Sequence, residues 1–189
     1  LKKEELKKIC EIIIAENNSR TDDQKKVYLM FDQMYWTLTY GETQHDNPIA
    51  LVPEMKPYTI FIDGISKAFA ATGVRVGWAF GPAGIMAKMK SLLSHVGAWA
   101  PMAEQKAVAE YLLQEDAVTN YLTSFKAALE DRLVKIYNGF MALKQKGYAV
   151  DAIAPNVKTG PKAPTMSAVM MSQNLCDMLL LLIPYKFYY

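Results

Sequence analysis

Lys67 follows Ser66 directly and precedes Arg75 by eight positions, inside the run Gly64-Ile65-Ser66-Lys67-Ala68-Phe69-Ala70-Ala71-Thr72-Gly73-Val74-Arg75-Val76-Gly77. These residue types suit two tasks. A lysine amine attacks a carbonyl once its proton is lost, and partial burial beside other cations favours that loss near neutral pH. A planar guanidinium fork and a hydroxyl donor together hold a phosphate-like anion. One loop would thus grip a small molecule at two ends, covalently through Lys67 and electrostatically through Arg75 and Ser66. A bare Ser-Lys pair marks only an ordinary surface lysine. Here the apolar run before it and the small-residue turn after it single it out.

A second cluster lies upstream. Val27-Tyr28-Leu29-Met30-Phe31 is a short, mostly apolar run bounded by the polar segment from Arg20 to Lys26, and it reads as a buried strand. Asp32-Gln33-Met34-Tyr35 follows at its end, with Asp32 thirty-five positions before Lys67. Alone, Asp32 would be a cap or turn residue.

Together these motifs resemble the class I/II aminotransferases of the aspartate aminotransferase-like fold type I, in which a strand ends in Asp-x-x-Tyr and a later loop carries a small residue, an apolar residue and a hydroxyl residue before the lysine. The resemblance implies pyridoxal 5'-phosphate as cofactor, with Lys67 as Schiff-base lysine and proton-transfer group. It implies Asp32 against the pyridinium nitrogen, Tyr35 on the ring's phenolic oxygen, and Ser66 with Arg75 on the phosphate. The implied reaction is transamination between an α-amino acid and a 2-oxo acid, in a cytoplasmic homodimer. Two alternatives share these residues: a pyridoxal-phosphate lyase or synthase of the same fold, and an aminotransferase-like sensor domain of a transcription regulator.

Elements must deliver these side chains. Tyr58-Thr59-Ile60-Phe61-Ile62 is a strand candidate rich in β-branched and aromatic residues that brings Lys67 from its carboxyl end. Val74 to Phe80, broken by Gly77, is a third. Gly41, Pro48, Pro53 and Pro57 forbid a long regular element between the first two and suggest a surface excursion. Ligands of open α/β sheets gather beyond the strands' carboxyl ends, where Asp32, Tyr35, Ser66 and Lys67 would fall. Ile85, Met86, Met89, Leu92 and Leu93 recur at helical spacing, predicting a helix packed on the sheet. Pro101 opens a further pattern running through Val108, Tyr111, Leu122, Phe125, Leu133 and Phe140 to a stop at Gly147. The expected fold is α/β: part of a large cofactor-binding domain with a mainly parallel sheet over 1–100, a long connecting helical segment over 101–146, and part of a smaller α+β domain over 147–189. In that last part Ser167 to Leu182 reads as a helix.

Composition narrows the classes. A formal net charge of +2 gives no reason to expect a nucleic-acid or anionic-membrane partner. Leu1 to Leu6 is charged and opens an amphipathic pattern through Ile9, Ile12 and Ile13, unlike a signal peptide. Cys10 and Cys176 are too distant for a disulfide scaffold, and His45 and His95 lack ligand spacing, so no metal site is expected. The resemblance covers roughly the middle third and part of the last third of a family member, which is about twice this length. The family's upstream phosphate-binding turn and its α-carboxylate arginine have no match here, since the arginines are Arg20, Arg75 and Arg132. The chain therefore reads as a fragment, and the 189 residues alone are expected to be inactive.

Overall fold

The computed structural model describes residues 2–41 and 43–150; the expected helix from Ser167 to Leu182 lies outside them. By compactness the chain divides into two units, one of residues up to Thr37 and from His45 to Leu122, the other of Leu38–Gln44 and the chain from Thr123.

In the first unit, helix α1 (Lys3–Ser19) opens where the Lys2 backbone N–H donates to Glu5 Oε2 at 2.8 Å. Leu6, Cys10, Ile13 and Asn17 fall on one face at spacings of three and four, and all are buried. Ile12, off that face, is exposed. Strand β1 (Leu29–Asp32) and strand β2 (Thr59–Gly64) pair in parallel, with Phe31 opposite Phe61 and Asp32 opposite Ile62. Strand β3 (Gly77–Phe80) lies antiparallel on the other side of β2, pairing Gly64 with Gly77. The expected mainly parallel sheet is thus, among the described residues, a three-stranded mixed sheet in the order β1-β2-β3. The 12 residues from Ile65 to Val76 form no crossover helix longer than α3 (Ile65–Ala68), so β3 returns beside β2 in the opposite direction.

The proline-punctuated stretch is not a mere surface excursion. Asn47 Oδ1 accepts from the Ile49 and Ala50 N–H groups and caps the short helix α2 (Pro48–Leu51). A 3-10 helix over Pro53–Tyr58 then drops Met55, fully buried, into a core with Leu6, Cys10 and Ile13. Val27, Leu29, Phe31 and Tyr58 pack against this core. Proline prevented a long element but not a compact one.

Helix α4 (Ala83–Val96) forms where the spacing predicts and ends at Gly97, whose φ of 69° is the left-handed cap conformation that glycine adopts freely. Its Ile85, Met86, Met89 and Leu93 are only half-buried and Leu92 is 64% exposed, so among the described residues the expected packing on the sheet is incomplete. The expected connecting segment is two helices, α5 (Met102–Leu112) and α6 (Glu115–Gln145), separated at Leu113 and Gln114. Helix α6 runs from the first unit into the second.

In the second unit Leu38, Tyr40 and Leu133 are buried, and the Lys126 ammonium lies 5.9 Å from the centroid of the Tyr40 ring. Burial, and secondarily the Glu130 charge, raise the Tyr40 phenol above its usual range.

Candidate active site at the carboxyl ends of β1 and β2

Asp32 is the last residue of β1, and its Oδ1 accepts from the Met34 N–H at 3.1 Å. That bond starts a turn, closed by Trp36 N–H on the Gln33 carbonyl at 2.9 Å, that turns the chain so that Tyr35 follows at once. The Asp32 carboxylate stays exposed. Lys67 comes from the neighbouring strand: β2 ends at Gly64 and α3 carries Ser66 and Lys67, both half-buried. The Lys67 ammonium lies 5.8 Å from the Tyr35 ring centroid, within reach of the ring's negative face.

Glycine is needed where this loop leaves the sheet. A Cβ on Gly64 would stand 2.9 Å from both Gly77 Cα and the Val76 carbonyl, backbone atoms that cannot rotate away. The Gly64 and Gly77 pair therefore lets β2 and β3 close together directly before α3.

Arg75 sits at the end of the 3-10 turn Thr72–Val74 with φ 62°, and Ala70 has φ 49°. Left-handed conformation in two non-glycine residues costs on the order of 1–3 kcal/mol each and tends to cluster at functional sites. Thr72 braces the loop: its Oγ1 donates to the Ser66 carbonyl at 3.1 Å, and its own carbonyl accepts from Arg75 Nη1 at 2.8 Å. Ser66 and Arg75, nine positions apart, are thereby linked through one intermediate residue, and Arg75 remains exposed with donors to spare.

The structure thus brings Lys67 and Tyr35 together and chains Ser66 to Arg75, while Asp32 belongs to the same turn as Tyr35. Sequence reasoning missed Thr72 and also Gln33 and Asp63. Gln33 Nε2 donates to Asp63 Oδ2 at 3.1 Å, and Asp63 Oδ1 accepts from the Gly64 N–H at 2.7 Å. Nearby, His45 packs against the rings of Phe31 and Trp36 at 5.8 and 6.2 Å. Desolvation there holds His45 below its ordinary pKa, against the opposing pull of Asp46 and Asp63.

Of the other arginines, Arg20, directly after α1, is paired with Glu16 of that helix at 2.8 Å, and Arg132 is exposed on α6 in the second unit. Among the described residues no group of acidic, histidine and cysteine side chains could hold a metal ion, and no helix is long and apolar enough to cross a membrane.

The family model for aminotransferase class I and II matches residues 2–159. The chain belongs to the class I and II aminotransferase family. Among family members, the aspartate aminotransferase of Geobacillus stearothermophilus is 34% identical over 148 residues, covering 76% of this chain and 35% of the relative. Among solved structures, aspartate aminotransferase from Thermus thermophilus with maleate is similar at a TM-score of 0.63 and 26% identity, covering 76% of this chain and 34% of that one. The aromatic aminotransferase from Pyrococcus horikoshii OT3, at a TM-score of 0.64 and 23% identity, shares the fold over 86% of this chain and 38% of its own. The chain spans about a third of the length of the relatives it matches.

Proposed function

We propose that the protein containing this chain transfers an amino group between an α-amino acid and a 2-oxo acid, with Lys67 as the lysine that holds pyridoxal 5'-phosphate and moves the substrate proton. The observation that carries this reading is the approach of the Lys67 ammonium to the Tyr35 ring, 5.8 Å from its centroid, beside the turn that begins at Asp32. The donor set suits the cofactor: an amine for its aldehyde, a carboxylate for its ring nitrogen, a phenol for its ring hydroxyl, and a guanidinium with a hydroxyl for its phosphate. When bound, pyridoxal phosphate supplies an electron sink for a carbanion next to nitrogen.

The chain's residues do the rest. Lys67, on a short helix that begins directly after the close approach of β2 and β3 at Gly64 and Gly77, provides a tethered amine that takes the proton from the substrate α-carbon as base and would release it as acid at the cofactor's aldehyde carbon. Asp32 supplies a fixed negative charge, its carboxyl oriented by the Met34 N–H. Tyr35 offers its hydroxyl while its ring lies against the lysine, and Ser66 and Arg75, joined through Thr72, form the anion grip. A homodimeric, cytoplasmic enzyme whose domains divide at 1–100, 101–146 and 147–189 belongs to the same reading.

The relatives' names make aspartate with 2-oxoglutarate the first substrate pair to assay in the full-length protein. Production of glutamate, lost on Lys67→Ala, supports the proposal. Release of a product other than a 2-oxo acid from a panel of amino acids points to lyase chemistry instead.

A further inference from the structure

Gln33 occupies the first of the two positions between Asp32 and Tyr35 that the motif leaves open, and Asp63 stands four residues before Lys67. Asp63 is only 6% exposed, and among the described residues no ion pair involves it. A buried carboxylate is costly unless its oxygens are satisfied. Here each oxygen has one donor: Oδ2 takes the Gln33 amide at 3.1 Å and Oδ1 takes the Gly64 N–H at 2.7 Å. The Gln33 backbone N–H also donates to the Ile62 carbonyl at 3.0 Å, extending the β1–β2 pairing by one step. The turn that carries Tyr35 and the end of the strand that leads into the Lys67 helix are therefore joined by both the backbone and the side chain of one residue.

We propose that Gln33 and Asp63 are positioning residues: a directional amide-to-carboxylate clamp that fixes the turn bearing Tyr35 against the helix bearing Lys67. This rests on the reading of Lys67 as the cofactor lysine. Direction matters because Gln33 presents a donor and Asp63 an acceptor. Replacing the amide by a second carboxylate puts two acceptors in opposition across the same gap and drives the loops apart. An Asp63→Asn change alone is tolerated, because one amide can flip so that donor and acceptor trade places while Gly64 keeps its acceptor. A reciprocal exchange, Gln33→Glu with Asp63→Asn, rebuilds the clamp with its direction reversed.

The test uses the full-length protein carrying Gln33→Glu, Asp63→Ala, Asp63→Asn and the reciprocal double variant. Three quantities are read: the thermal midpoint without cofactor, the pH midpoint of the visible band with cofactor bound, and kcat against KM. Gln33→Glu and Asp63→Ala are expected to lower kcat about tenfold or more with little change in KM, as small misplacements of reacting groups do. Both should shift the pH midpoint of the band. Asp63→Asn and the double variant should return all three quantities close to the parent values, giving a coupling that single changes cannot. The clamp is overturned if the double variant is no better than Gln33→Glu, or if the variants lower the thermal midpoint while the band and kcat stay unchanged. The coupling in cofactor-free protein separates this from the functional reading: a label on some lysine other than Lys67 would defeat that reading while leaving the clamp's thermal signature intact.

Discussion

The layer made by α1, β1 and β2 and the helices that follow Pro82 begin with similar sequence signals, apolar residues at regular spacing, yet they end very differently. Met55 is fully buried against α1, and on β2 Phe61 is 2% exposed, stacked on Phe80 at 4.7 Å and edge-on to Phe31 at 5.8 Å. Helix α4 has the same kind of stripe and no buried residue, and α5 has none either. Periodicity makes a helix and marks its apolar face, but burial needs a second surface. In the described residues that surface exists for α1 and not for α4.

The contrast can be broken at its strongest point first. In the 189-residue chain, Phe61→Ala should destabilise by about 3–5 kcal/mol, because the cavity lies between the rings of Phe31 and Phe80, held by the strands on either side of β2. Leu92→Ala should stay within about 0.5 kcal/mol, since its side chain is already mostly solvated. Urea unfolding of both variants measures the difference; equal costs would mean that α4 is packed as well as the sheet.

A second prediction sharpens the packed side. Asn17, 1% exposed, donates Nδ2 to the Val27 carbonyl at 2.9 Å and accepts the Val27 N–H at Oδ1 at 2.7 Å, tying the end of α1 to the entry of β1. Asn17→Ala strands both backbone groups and should cost about 1–3 kcal/mol, with faster amide exchange at Val27. Exchange at Val27 unchanged from the parent would show that the tie is dispensable.

The smallest effect concerns pH. The fold depresses the pKa of His45 below its ordinary 6.5, so the folded state binds fewer protons than the unfolded one. Its contribution is present above the unfolded value and is lost as pH falls through the folded one. His45 is partly exposed, so the effect is modest. His45→Gln should narrow the gap between unfolding midpoints measured at about pH 7.5 and about pH 5.5; an unchanged gap would assign the acid sensitivity to other groups.

What the sequence made legible follows the same division. The lysine loop and the Asp-x-x-Tyr turn were readable because each is a local pattern of residue types, whereas the face of α1 was read only in part: Leu6 and Ile13 are buried, but Ile12 is exposed and Cys10 and Asn17 complete the buried face. The strand expected over Tyr58–Ile62 forms over Thr59–Gly64, since Pro53 and Pro57 hold the residues before it in a 3-10 helix. The one expected over Val74–Phe80 shrinks to Gly77–Phe80, because Thr72–Val74 turns and Arg75 is left-handed. The antiparallel direction of β3 was not readable, since nothing in a four-residue strand encodes its sense. Met55, Asn17 and the Gln33–Asp63 pair were missed for a related reason. Their importance comes from partners ten to thirty or more positions away, and a single sequence carries no mark of such pairings.

The central claim is that Lys67 is the residue that carries the cofactor, and one chemical measurement addresses it without any assay of turnover. Full-length protein loaded with pyridoxal phosphate is reduced with borohydride, digested, and mapped by mass spectrometry. A single modified lysine is expected, within the segment Gly64-Ile65-Ser66-Lys67, and is lost in Lys67→Ala. A stable reduced adduct on any other lysine, with Lys67 unmodified, would contradict it.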